Sequence, residues 1–263
     1  MNSFENIFQA AAYGTALDVK SFVEGGADVN TKDEDGQTPL HLAALENGDV
    51  EILNYLVSQG ADVNAKDNYS ATPLHRAAYA NPNGNVLKCL VSLGADVSAK
   101  DNKGDTPLFE AIRGCNADVE VLQYLVSQGA RVNIGNKWGG TPLHLALVSN
   151  AGVEILQYLV SQGADVNAKN EYGWTPLHRA ALSNSNVEAL KYLISQGADV
   201  NVKDNQGDTP LHNAAEWNNN PEILKFLIAQ GANTRAKNYW GKMPRNVANT
   251  DEKKYILQET VCK

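Results

Sequence analysis

The sequence predicts an all-α repeat solenoid of about eight stacked helix pairs joined by short β-hairpin fingers. Three observations carry that prediction. A Gly-Ala-Asp-Val-Asn word, or a close variant, opens at Gly26, Gly60, Gly94, Gly129, Gly163, Gly197 and Gly231, at intervals of 34 residues with a single 35. A second word keeps the same beat: Thr38-Pro39-Leu40-His41, Thr72-Pro73-Leu74-His75 and Thr106-Pro107-Leu108-Phe109, with Thr141, Thr175 and Thr209 opening three more and Met243-Pro244 a worn seventh copy. Between the two words, apolar residues recur at helical spacing, as in Val50–Val57. Self-similarity at this period describes units that cannot bury an apolar face alone, so that stacking supplies the core.

The elements follow in order. Residues 1–32 form an N-terminal capping unit, with Ala10 and Ala11 in the small-residue slots and Val19, Phe22 and Val23 on its second helix. Repeats then occupy 33–66, 67–100, 101–135, 136–169, 170–203 and 204–237, and 238–263 form a C-terminal cap. Within the first repeat, Thr38 is placed to cap the first helix through its hydroxyl, and Pro39 sits at the first helical position, where its missing N–H costs nothing. Leu40, Ala43 and Ala44 give that helix a face for close stacking. Acidic residues at the start of second helices (Asp49, Glu51, Asp118, Glu120) suit the positive end of the helix dipole. Gly60 is the left-handed stop. Twelve residues separate each repeat glycine from the next Thr slot, so the fingers have fixed length and the extra residues fall between the helices. Ser70 stands where other fingers have Gly, and Met243 replaces the capping Thr. The last helix, roughly 251–259, is expected to turn Glu252, Lys253 and Lys254 outward. The whole chain, 1–263, reads as one domain.

The Thr-Pro-Leu-His-x-Ala words followed by Gly-Ala-Asp-Val-Asn-Ala-Lys-Asp resemble the ankyrin repeat. The resemblance covers nearly the whole chain. It implies a non-enzymatic protein-binding module whose finger tips and exposed first-helix face line a concave groove.

Composition narrows the alternatives. No apolar run is long enough to cross a bilayer, and the N-terminus has no positive region of the kind that opens a signal peptide. The three cysteines, Cys89, Cys115 and Cys262, are widely spaced and lack metal-ligand patterns, which fits a reduced, cytoplasmic setting; a secreted, host-directed effector is the other setting considered. The net charge is −8, and residues 1–100 alone carry 6 basic against 13 acidic side chains. That balance argues against nucleic acid, whose phosphates need a basic footprint, and favours a basic partner toward the N-terminal half. With both ends capped, the chain is expected to be monomeric.

The chain offers little catalytic chemistry. All five histidines (His41, His75, His144, His178, His212) fall in one slot of the repeated word, which marks a structural role. Walker-type loops, nucleophile elbows and HExxH motifs are missing, and the aspartates are spread one set per finger. No catalytic residue, metal ligand or cofactor is expected. Tyr55, Tyr124, Tyr158, Tyr192 and Phe226 recur five residues before the repeat glycines and read as packing between repeats.

The tryptophans differ. Trp138 and Trp240 hold the third finger position, as Tyr69 and Tyr172 do in two other fingers. Trp174 lies two residues further along its finger, and Tyr239 adjoins Trp240. Trp217 and Tyr79 end first helices. Large rings in these slots remain exposed unless a partner covers them, and aromatic anchors dominate interface energetics. Tyr69, Tyr79, Trp138, Tyr172, Trp174, Trp217, Tyr239 and Trp240 are therefore the expected partner contacts. A rival reading uses Trp138, Tyr172 and Trp174, on fingers about 10 Å apart with Glu171 beside them, as an aromatic cage for methyl-lysine or another quaternary ammonium.

Overall fold

The computed structural model describes residues 4–80, 83–114, 118–149, 151–182 and 187–259. Among them are sixteen helices and no strand. Contacts divide the chain into two compact units, residues 1–131 and 132–263. The N-terminal unit contains α1 (Ile7–Tyr13), α2 (Ala16–Glu24), α3 (Pro39–Glu46), α4 (Val50–Ser58), α5 (Pro73–Ala80), α6 (Gly84–Ser92), α7 (Pro107–Arg113) and α8 (Val119–Ser127). The C-terminal unit contains α9 (Pro142–Val148), α10 (Val153–Ser161), α11 (Pro176–Leu182), α12 (Val187–Ser195), α13 (Pro210–Trp217), α14 (Pro221–Ala229), α15 (Pro244–Val247) and α16 (Asp251–Glu259).

Each unit repeats one packing scheme. First helices stack on first helices (α1, α3, α5, α7; then α9, α11, α13, α15), and each packs on its own second helix. Leu40, Ala43 and Ala44 of α3 and Ile52, Leu53 and Leu56 of α4 are fully buried, and their counterparts repeat down the chain. Alanines at the stacking face let helices approach closely; the leucines supply the burial, each costing about 2–5 kcal/mol to truncate to Ala. The tyrosine and phenylalanine stripe (Tyr55, Tyr124, Tyr158, Tyr192, Phe226) is half-buried on the second helices.

The helix ends explain the repeated words. At the end of α4, Ala61 N–H donates to Leu56 O and Gly60 N–H to Val57 O, both at 3.0 Å, a Schellman closure that needs Gly60 at φ +91°. At the start of α3, the cap is completed from the histidine side: Thr38 N–H donates to His41 Nδ1 at 3.1 Å. Because Nδ1 accepts, the proton sits on Nε2, which donates to Ala71 O at 3.1 Å in the next finger. His75, His144, His178 and His212 repeat both contacts. Burial lowers the pKa of all five, that of His178 to about 4. Phe109 fills the same slot, buried, with no ring nitrogen to donate or accept. In the worn copy, Met243 N–H donates to Asn246 Oδ1 at 2.9 Å, so Asn246 takes over the histidine's local half of the cap.

Two expectations concern the fingers and the last helix. The fingers hold no β-strands among the described residues; each is a tight turn closed by two backbone bonds, as where Asp67 N–H donates to Ala71 O at 3.0 Å and Ser70 N–H to Asp67 O at 2.9 Å. The opening Asp67 also accepts the amides of Tyr69 and Ala71 on Oδ1 at 2.8 and 2.9 Å, which satisfies the tip without a ladder. Lys253 points inward rather than outward. Its ammonium donates to Ala215 O at 3.0 Å, near the end of α13, and to Asn249 Oδ1 at 2.7 Å, with its pKa lowered by burial. A cation at a helix C-terminus satisfies carbonyls that have no partner within the helix.

Candidate functional site

The finger turn determines where the tip side chains go. In the C-terminal unit, Glu171 N–H donates to Trp138 O, Asn205 N–H to Tyr172 O and Tyr239 N–H to Gln206 O, each at 3.0 Å. Finger backbones therefore lie directly against one another. A Cβ on Gly173 would come within 2.6 Å of Asn205 N, at a φ of +76° that already excludes most side chains. With the backbones in contact, the third finger residue projects its side chain into solvent. Trp138, Tyr172, Gln206 and Trp240 recur one repeat apart in that slot, and all are exposed. Tyr239 lies beside them, 71% exposed, and Trp217, the last residue of α13, is 64% exposed.

Trp174 does not join them. It is half-buried, and its Nε1–H donates to Asp204 Oδ2 of the next finger at 2.9 Å. The Arg179 guanidinium, from α11, lies over its ring at 4.5 Å from the centroid. Trp174 is thus a packing residue between fingers and first helix, which its slot two residues past the tip permits. Glu171 sits beside Tyr172 and raises the pKa of its phenol.

The N-terminal unit has its own aromatic pair. Tyr69 and Tyr79 are exposed at a cavity of about 350 Å³ between finger and first helices, whose lining includes Arg76, Asp101, Glu110 and Arg113. Arg76 is bonded to the buried Asp67 carboxylate, and Arg113 to Asp105 and Glu110. Burial raises the Glu110 pKa against the pull of Arg113; burial alone would lower Arg113, but its carboxylate bonds outweigh that. Asp101, Asp105 and Glu110 come close enough to share a cation, yet Arg113 already engages two of them.

Other titratable groups offer no site. Cys89 is half-buried, its thiol pKa raised by burial, with Asn54 Oδ1 at 3.6 Å. Cys115 and Cys262, and most of the inter-helix turns singled out for their extra residues, lie outside the described residues. No helix among the described residues is long and apolar enough to cross a membrane.

Sequence reasoning found the tip slots but missed Arg179 and the finger aspartates. The signal for the first was available: Arg76 follows a finger that opens with Asp67, whereas Arg179 follows one that opens with Asn170.

Comparison with known proteins identifies the fold. The family model for ankyrin repeats (3 copies) matches residues 7–101, 79–170 and 148–238. The ankyrin repeat domain of human ASB11, known from its crystal structure, is similar over 88% of this chain and 99% of that one, with a TM-score of 0.73 and 27% sequence identity. No curated protein sequence matches the chain. With helix pairs, capping words and family matches running together from residue 7 to 238, the chain belongs to the ankyrin-repeat family.

Proposed function

We propose that this chain is a non-enzymatic protein-binding module that grips its partner with finger-tip and first-helix aromatics. Ankyrin repeats generally mediate protein–protein interaction, and the observation that carries the specific reading is the set of exposed rings in the C-terminal unit. Trp138, Tyr172, Tyr239 and Trp240 are held outward by backbones locked finger to finger, and Trp217 stands exposed at the end of α13. A preformed surface of this kind loses little conformational entropy on binding, so a few anchors supply the affinity. Tyr69 and Tyr79 extend the reading to the N-terminal unit. That unit carries 9 basic and 18 acidic side chains, a net −9, which suits a basic segment of the partner; the C-terminal unit, at +1, does not share that preference. We take the chain to act as a monomer in the cytoplasm.

The methyl-lysine cage is the weaker reading. One face of Trp174 is already covered by a guanidinium, and that positive charge opposes a second cation between Trp138 and Tyr172.

The test is a random peptide library displayed on phage and selected on the purified chain. Recovered peptides should lose affinity by about 2 kcal/mol or more for at least one of Trp138→Ala and Trp240→Ala, with the melting temperature unchanged. Peptides indifferent to both variants would remove the aromatic face from the account.

A further inference from the structure

Three arginines occupy the position after the histidine slot or one helical turn beyond it, and only one lacks an acid. Arg76 is bonded to Asp67, and Arg113 to Asp105 and Glu110. Arg179 makes no ion pair or hydrogen bond among the described residues; what it touches is the face of Trp174. The cause lies in the sequence nine residues upstream. Asp67 precedes Arg76 at that distance, and the residue that precedes Arg179 is the neutral Asn170. Asp204, which meets the same Trp174 ring, is engaged: Oδ1 accepts the amides of Gln206 and Asp208, and Oδ2 accepts Trp174 Nε1–H.

A half-buried guanidinium with no acceptor is costly. Arginine cannot shed its proton to escape, and five N–H donors arranged as a fork are left with water or nothing. Burial lowers the pKa of Arg179, and no carboxylate acts to restore it, in contrast to Arg113. The guanidinium lies over the Trp174 ring, 4.5 Å from its centroid, and this contact positions the fork. The exposed rings of Trp138 and Tyr172 stand on the same finger and the one before it.

We propose that Arg179 is the receptor for a carboxylate of the bound partner, a Glu or Asp side chain carried next to an apolar residue that packs on Trp138 or Tyr172. The inference rests on the aromatic face being a partner surface. A planar carboxylate matches the fork with two parallel bonds. A phosphate is the poorer fit, because a dianion brought in beside the Tyr172 ring meets the Glu171 carboxylate there, which repels it more strongly than a single negative charge. The result is a division of labour within one chain: an acidic N-terminal unit, and in the C-terminal unit one unpaired cation framed by rings.

The experiment uses the full chain and the peptides selected on it from the phage library. Peptides bound by the C-terminal unit should share one acidic residue at a fixed distance from an aromatic or aliphatic one. For a synthetic copy followed by fluorescence polarisation, Arg179→Gln should weaken binding roughly 30-fold or more. The peptide's own Glu→Gln change should cost about as much, and the two together little more than either. Arg179→Lys, which keeps the charge and loses the fork, should fall between. Arg179→Gln should melt close to wild type, since the cation–π contact it forfeits is offset by relief of an unpaired half-buried charge. A phosphoserine in place of the peptide's Glu should bind more weakly; tighter binding would overturn the choice of carboxylate. Peptides that lose affinity with Trp138→Ala or Trp240→Ala but not with Arg179→Gln would sink the Arg179 assignment and leave the aromatic face standing. Indifference to all of these, or a library that yields no binder, would sink both.

Discussion

Trp174 and Trp217 separate two fates of one residue type. Both were read from the sequence as exposed anchors, because neither occupies a repeated core slot. Trp217 ends α13 with 64% of its surface in solvent, so Trp217→Ala should shift stability by no more than about 0.5 kcal/mol. Trp174 has its indole N–H on Asp204 and a guanidinium on its ring. Trp174→Ala forfeits the hydrogen bond, the cation–π contact and half a buried ring, and should cost about 2 kcal/mol, below the roughly 3–5 kcal/mol of a fully buried tryptophan. Chemical denaturation of the two variants beside wild type checks the difference. Equal losses would mean that the ring contacts of Trp174 contribute nothing to stability.

At the scale of the element, the finger is the informative unit, and Ser70 is its strained copy. Ser70 has φ +58°, the one positive value among the described non-glycine residues, in the slot that glycine holds in the other fingers. The left-handed conformation costs a residue with a Cβ about 1 kcal/mol. The hydroxyl returns part of this by donating to Asn102 Oδ1 in the next finger at 2.7 Å. Ser70→Gly should therefore raise stability by less than about 1 kcal/mol, whereas Ser70→Ala, which keeps the strain and loses the bond, should lower it by about 0.5–1 kcal/mol. Thermal melts in which alanine matched or exceeded glycine would overturn the strain argument. Finger length, turn position and strained residue were all legible from the 34-residue beat, because each is a local property of a repeated word. What was not legible depends on a partner one repeat away. The destination of the histidine Nε2 proton, 30 residues on, is of this kind, and so is the packing of Trp174 against Asp204 at the same separation. Lys253 reaches Ala215, 38 residues back, for a carbonyl that no periodic pattern in α16 announces. The candidate site divides in the same way: the tip slots are visible in the sequence, and the missing acid beside Arg179 becomes meaningful once Arg76 and Arg113 are seen with theirs.

For the molecule as a whole, the five histidines act in the same direction on one observable. Each is held neutral in the folded state: Nδ1 accepts an amide proton, Nε2–H is given to a carbonyl, and burial disfavours the cation. Protonating Nδ1 would set two donors against each other at the start of a first helix. Because the folded pKa values lie below the ordinary 6.5, the unfolded chain binds more protons between the two limits, and stability falls as pH falls through that window. It is fully present above about pH 6.5. For His178, with a folded pKa of about 4, the loss at acid pH amounts to about 3 kcal/mol, and the other four add to it with the same sign. Glu110 works the opposite way, since its raised pKa lets the folded state take up a proton first, but it is one group against five. Melting temperature should therefore be nearly flat from pH 8 to about 7 and drop steeply from about pH 6 toward 4. Over the same range, NMR titration should find all five imidazole rings of the folded chain titrating below the ordinary 6.5, with those of His178 at their neutral-state shifts down to about pH 5. Rings that titrate near 6.5 in the folded chain would show that these histidines are solvated, and the helix-capping role assigned to them would be lost with it.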